Sequence, residues 1–218
     1  MSTRVTSRLG GTLARTFAAT ALTIAGLGSA QAAIVWNSMG TLATGFLANG
    51  AAAHTNAQTF QLSQATNLTD FAWKGAYVDN LPGATEAFTI DIYSSVAGTP
   101  SNAPLATLGA GAANRSATGT LLLNTFDIYD YSFAPVAGLS LGAGDYFFSV
   151  NSNGGNWYWG VTSTSDGSFF VRDNLGPWQG GTATLAFRVD GTALPEPGSL
   201  ALVGISLAGL LFARRRTS

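Results

Sequence analysis

An all-β domain, an antiparallel β-sandwich of jelly-roll kind, is predicted for the middle of this 218-residue chain by three observations. Between 34 and 189, short runs rich in β-branched and aromatic residues are separated by clusters of Gly, Asn, Asp, Ser and Pro. Several runs keep a two-residue apolar period, and no stretch of the middle sustains a period of 3.6. Glycine pairs at 154–155 and 180–181, with Asp166-Gly167 between them, supply the positive φ that tight turns need.

The runs fall at 59–62, 68–78, 87–93, 126–133, 145–151, 156–162, 168–172 and 182–189, about eight strands. In the third, Phe88, Ile90 and Ile92 share one face while Thr89, Asp91 and Tyr93 take the other, as a half-buried strand requires. In the fourth, Phe126 and Ile128 point one way and Tyr129, Tyr131 and Phe133 the other, which predicts a bulge near Tyr129. The glycine-bearing turns of the last third predict consecutive antiparallel hairpins. In the run 156–162, Trp157 and Trp159 fall on one face with Tyr158 opposite.

The two ends read differently from the middle. The basic segment 1–15, the apolar run 17–28 and the Ala30-x-Ala32 spacing have the three parts of a secretory signal helix, with cleavage expected after Ala32. At the other end, 199–213 is uncharged and is followed by Arg214, Arg215 and Arg216. As a helix those fifteen residues span only about 22 Å against a hydrocarbon core of about 30 Å, so a short, weak transmembrane anchor is expected. Basic residues flank both apolar segments and stay cytoplasmic, which places the intervening domain outside the membrane. The expected division is 1–32 signal, 33–191 domain and 192–218 tail.

Charge narrows the function classes. Between 33 and 191 ten carboxylates stand against Lys74, Arg115, Arg172 and Arg188, so the net charge is −6, which excludes a nucleic-acid role. With no cysteine, disulfides, thiolate metal sites and Cys nucleophiles are excluded, and the fold must rest on its apolar core. With His54 the single histidine and no cysteine to replace a second, hydrolytic triads and histidine metal clusters are both excluded; the small polar residues around His54 read as a loop. No cofactor and no metal are expected. Paired carboxylates such as Asp127 with Asp130, or Asp166 with Asp173, are the remaining route to a glycan-active enzyme, and most Asp residues here sit where they cap turns. Oxygen ligands around Asp145 or Asp166 would suit calcium, without the spacing of an EF-hand loop.

The stretch Leu194-Pro195-Glu196-Pro197-Gly198, the apolar segment after it and the arginine cluster occur in that order at the chain's end. Together they resemble the PEP-CTERM sorting tail. The sortase pentapeptide would need Thr where Pro197 stands, and a GPI signal would end in apolar residues rather than arginines. The resemblance implies export through the Sec translocon, removal of the signal by signal peptidase and transient retention in the inner membrane of a Gram-negative bacterium. It further implies processing near Pro195, Glu196 and Pro197 by the membrane protease-transpeptidase exosortase, whose own residues would carry the chemistry. The mature protein would then be a non-enzymatic surface or biofilm-matrix protein among extracellular polysaccharide.

The segments 71–77, 88–93, 144–150 and 157–160 also resemble a β-sandwich ectodomain recurrent in PEP-CTERM proteins, one to which no activity attaches. Within the domain, Trp157 and Trp159, extended by Trp178, Tyr129 and Tyr131, form a candidate stacking platform for a polysaccharide. Burial of those rings in the core is the competing expectation.

Overall fold

The computed structural model describes residues 32–49, 54–78, 86–163, 168–195 and 204–206. The signal segment, the Asp166-Gly167 turn, Glu196, Pro197 and Arg214 to Arg216 lie outside the described residues. Among those described, the only helical turn is 204–206, and no helix is long and apolar enough to cross a membrane.

The domain is all-β and its named strands pair antiparallel throughout. Eight strands form one sheet: β1 (Ala33–Asn37), β2 (Leu42–Leu47), β4 (Thr66–Tyr77), β8 (Asn114–Leu122), β9 (Phe126–Phe133), β10 (Leu139–Leu141), β12 (Trp157–Thr162) and β15 (Phe187–Ala193). Seven form the other: β3 (His54–Leu62), β5 (Phe88–Val96), β6 (Thr99–Pro100), β7 (Ala106–Gly111), β11 (Gly144–Ser152), β13 (Phe169–Asp173) and β14 (Gln179–Gly181). The long strand β4 is the spine of the first sheet: β15 and then β12 pair along one side, β10 and then β9 along the other.

The sheets are held together by rings. Phe148, from the seven-stranded sheet, lies 4.8 Å from Phe187 in parallel stacking and meets Trp159 edge-on at 5.5 Å. One strand over, Phe88 meets Trp73, Tyr131 and Trp157 edge-on at 5.3, 4.8 and 5.2 Å. Such tilted contacts suit the ring quadrupoles and add roughly 0.5–1.5 kcal/mol each beyond area burial, which is how a chain without cysteine closes its core.

All eight expected runs contain strands, and among the described residues seven further strands appear. The additional ones, such as β2 (LATGFL), β7 (ATLGAG) and β8 (NRSATGTLL), are rich in Gly, Ala and Thr, and β8 is exposed over most of its length. Their strand state comes from edge pairing with a preorganised neighbour, not from intrinsic propensity.

Three local expectations are corrected. The last third is not a series of hairpins: β11 pairs with β3 and β5, while β12 pairs with β2 and β4, so the loop around Gly154-Gly155 carries the chain from one sheet to the other. Gly155 does adopt φ +72°, but Gly180 and Gly181 belong to strand β14. The register of β9 against β4 is unbroken from Ile128 to Phe133, so β9 has no bulge there; the irregularity lies opposite it, in β8 between Ala117 and Leu121.

Both faces of β9 are apolar because both are covered. Tyr129, Tyr131 and Phe133 face the main core, and Ile128 packs with Ala76, Leu122, Leu42 and Phe126 in a small cluster of its own. Finally, β15 extends past 191, because Thr192 and Ala193 pair with Asn67 and Thr66.

Candidate functional site

Three places in the molecule concern function: the end where the chain leaves the sandwich, the aromatic residues considered for glycan stacking, and the outer face of the eight-stranded sheet.

At the first, β1 and β15 run side by side, with Ala33 opposite Gly191, so the chain enters and leaves the domain at the same end. Among the described residues, the last backbone contact along the chain is the Leu194 amide donating to the Ala65 carbonyl at 2.8 Å. Pro195 follows directly, exposed and outside any strand. Proline has no amide hydrogen to extend the ladder, so the ladder stops where the sorting sequence begins.

The stacking platform is overturned. Trp157 and Trp159 do share one face, but it is the inner one, and both side chains are fully buried. Trp159 Nε1 donates to the Ala186 carbonyl at 2.9 Å, which fixes the ring inside. Trp157 lies against the backbone of Gly75, where a Cβ would come within 2.3 Å of the indole. Rings enclosed on every side have no face left for a sugar. Tyr131 is likewise buried, and Tyr129 packs on the core edge under the Arg115 guanidinium, 4.9 Å from its centroid.

Trp178 is half-buried on the opposite, outer surface of the seven-stranded sheet, with no relation to Trp157 or Trp159. It covers Arg172, whose guanidinium carbon lies 4.3 Å from its ring centroid and 5.4 Å from that of Tyr93. Arg172 donates to the Asn102 carbonyl at 2.7 Å and to the Tyr93 hydroxyl at 3.2 Å, while Trp178 Nε1 donates to the Ser101 carbonyl at 3.2 Å. The cluster ties the loops around 101 and 175 onto the sheet, a structural role for a cation that reads in sequence as a surface charge.

The outer face of the eight-stranded sheet holds a polar groove of about 740 Å³, with Lys74, Ile128 and Asp130 from the central strands and Thr41, Thr118 and Thr120 beside them. Lys74 Nζ lies 3.5 Å from Asp130 Oδ1, which is buried and has no hydrogen-bond partner. A second hollow of about 290 Å³ shares Met39 and Asp130 with the groove and adds Arg115 and Arg188. Of the domain's four cations, Lys74 and Arg188 line this outer face, Arg115 turns to the core edge over Tyr129 and pairs with Glu86 Oε2 at 2.9 Å, and Arg172 is spent inside the opposite surface.

Of the carboxylate pairs considered from sequence, Asp127 with Asp130 does not converge. Asp127 and Asp130 are three residues apart on one strand and so point to opposite faces. Asp173 binds His54, with Nδ1 to Oδ1 at 2.5 Å, and Asp166 lies outside the described residues. His54 is thus the first residue of β3 and not a loop side chain. Asp145 accepts a hydrogen bond from Gln61 Nε2 at 2.9 Å. Among the described residues no three His, Asp or Glu side chains are grouped to hold a metal ion.

A carboxylate pair does form where sequence gave no signal. Asp70 and Asp190 are register partners between β4 and β15. Burial first, and then the Asp190 charge, raise the Asp70 carboxyl above its ordinary value, with Arg188 acting in the opposite sense. Arg188 Nε donates to Asp190 Oδ2 at 3.0 Å. Residues 120 positions apart become neighbours only through strand pairing, which no local pattern reveals.

Fold and chain end together define a β-sandwich domain that passes, without a spacer, into a C-terminal sorting segment. Residues 193–216 match the protein-family model described as the PEP-CTERM protein-sorting motif, and the chain carries that motif. No curated protein matches the chain.

Proposed function

We propose that this is an exported, non-enzymatic surface or extracellular-matrix protein, held briefly in the inner membrane by its tail and then processed by an exosortase. The observation that carries this reading is the motif over 193–216, whose Pro195 stands immediately after Leu194, a residue bonded to the sandwich through the Ala65 carbonyl. Export through the Sec translocon and cleavage after Ala32 complete the route. The ordered β1 strand begins at Ala33, so cleavage there leaves the domain intact.

The chain supplies the substrate and the exosortase supplies the catalytic groups. Prolines at 195 and 197 disfavour helix and ladder pairing, which would leave the peptide bonds there open to an enzyme at the bilayer surface. Backbone up to Leu194 is committed to the sheet, so the mature C-terminus is expected at Pro195 or beyond.

The test is the intact mass of the protein from cells with and without their exosortase. At 22.4 kDa for 218 residues, removal of up to 23 residues lowers the mass by as much as about 2.4 kDa. Equal masses would reject processing, and a C-terminus upstream of Leu194 would reject the proposed boundary.

A second reading, carbohydrate binding by the domain, draws its support from the outer groove instead of the tryptophans. Threonine hydroxyls, the Lys74 amine and the Asp130 oxygen it faces at 3.5 Å, beside Ile128, offer the mixture of hydrogen-bonding and apolar contacts that a polysaccharide chain presents. Lys74→Ala is expected to weaken retention on the host's extracellular polysaccharide about tenfold, or about 1.4 kcal/mol, with an unchanged melting temperature. Unchanged retention would remove the groove from consideration.

A further inference from the structure

The end of the sandwich at which the chain enters and leaves is unusual in its loops. Loops 63–65 and 142–143 and the turn 97–98 all lie there: Thr66 pairs with both Ala193 and Leu141, Leu62 pairs with Gly144, and β5 ends beside the start of β11. These loops are Ser63-Gln64-Ala65, Gly142-Ala143 and Ala97-Gly98, without a single charge. Ile34 and Val96, more than half exposed, add apolar surface at the same end.

Chain length fixes how far this end can stand from a membrane. Leu194 is bonded to Ala65, and the uncharged run begins at Ser199, so only residues 195–198 separate them. Four extended residues reach at most about 14 Å. The headgroup layer itself is about 5–8 Å deep on each side of the hydrocarbon.

We propose that the chain-exit end of the sandwich, formed by loops 63–65, 97–98 and 142–143, rests against the phospholipid headgroups while the tail is uncut. The inference rests on the reading that the tail inserts into the bilayer before processing. Uncharged loops can approach the headgroups without stripping water from a charge, and Ile34 and Val96 gain a partly apolar surrounding. Because the sheet grips the chain through Leu194, the domain cannot lengthen its tether without breaking pairs of β15. A membrane-bound processing enzyme would therefore meet the tail beneath the domain, within a four-residue gap.

The absence of cysteine makes the test direct, since a single introduced thiol can carry a fluorophore. The full chain is taken from membranes of cells lacking exosortase, labelled at Gln64→Cys or Leu175→Cys, and placed in phosphatidylcholine vesicles with a headgroup-attached quencher. Leu175 is at the opposite end, because Asp173 pairs with His54 at the far end of β3, and β3 rises about 26 Å.

In protein that floats with the vesicles, quenching at position 64 is expected to exceed that at 175 at least twofold. A Gly-Ser insertion of about twelve residues between Leu194 and Pro195, with a reach of about 20 Å, should bring the two to the same level. Equal quenching without the insertion would overturn the proposal. Failure to float would remove the tail insertion on which it depends, whereas exosortase-independent masses would leave the quenching result standing.

Discussion

Trp157→Ala is expected to cost about 3–5 kcal/mol, a large part of the roughly 5–15 kcal/mol that holds a typical domain together. The side chain is fully enclosed, with Phe88 at 5.2 Å and Tyr131 at 6.1 Å between ring centroids, so its loss leaves a cavity that rigid neighbouring rings cannot collapse into. Gly75 sets the depth of the ring, since β4 has no side chain there to push the indole outward. Gly75→Ala alone should therefore destabilise by overpacking, about 1–3 kcal/mol, yet cost much less in the Trp157→Ala background, where the methyl enters the vacated space. Urea unfolding of the four proteins measures this coupling. Trp157→Ala with an unchanged midpoint would contradict the burial of the ring and restore it as a candidate binding residue.

Alkaline pH should unfold the domain through its buried tyrosines. Burial pushes the Tyr93 hydroxyl up to about 12, with a smaller push from Asp91 and an opposing one from Arg172. Burial is also the main cause for Tyr77 and Tyr131, whose hydroxyls are raised further. In the unfolded chain a tyrosine ionises near 10. The folded value is raised, so the stabilisation is complete below pH ~10 and is lost as pH rises through ~10 towards 12 and beyond.

At 1.36 kcal/mol for each unit, Tyr93 alone withdraws about 2–3 kcal/mol by pH 12, and Tyr77 and Tyr131 act in the same direction. Tyr77 donates to Glu86 Oε1 at 3.0 Å, an interaction that a phenolate beside a carboxylate would reverse in sign. The expected result is that ionisation of these three, followed by tyrosinate absorbance, coincides with the loss of circular dichroism from the aromatic core. Ionisation of all six tyrosines with the dichroism intact would refute it.

The sequence carried its strongest information where a local pattern has one physical cause. Alternation in 88–92 reads correctly because Phe88, Ile90 and Ile92 all enter the same core. The same logic put Trp157 and Trp159 on one face, and could not say which face, since a two-residue period is identical for inward and outward tryptophans. In β9 it failed differently: apolar residues on both sides suggested a bulge, whereas a second small cluster over Ile128 lets the strand stay regular.

Edge strands such as β8 were silent because their composition is that of loops, and pairing with β9 alone makes them strands. The charged sites were the least legible. Arg172 looks like any surface cation until Tyr93 and Trp178 are seen to enclose it, and Asp70 meets Asp190 only through the register of β4 and β15.

By itself the sequence determined that the middle is all-β, that it must stand without disulfides or a histidine cluster, and that a sorting motif occupies the C-terminal end. Those are statements about composition, period and contiguous order, which need no knowledge of distant contacts. Tertiary structure alone decided that the tryptophans are core, that the polar groove lies on the outside of the eight-stranded sheet, and that the chain enters and leaves at one end with no spacer before Pro195. Each of these depends on which strands pair and which faces are covered, and pairing across more than a hundred residues is set by the packing of the whole core.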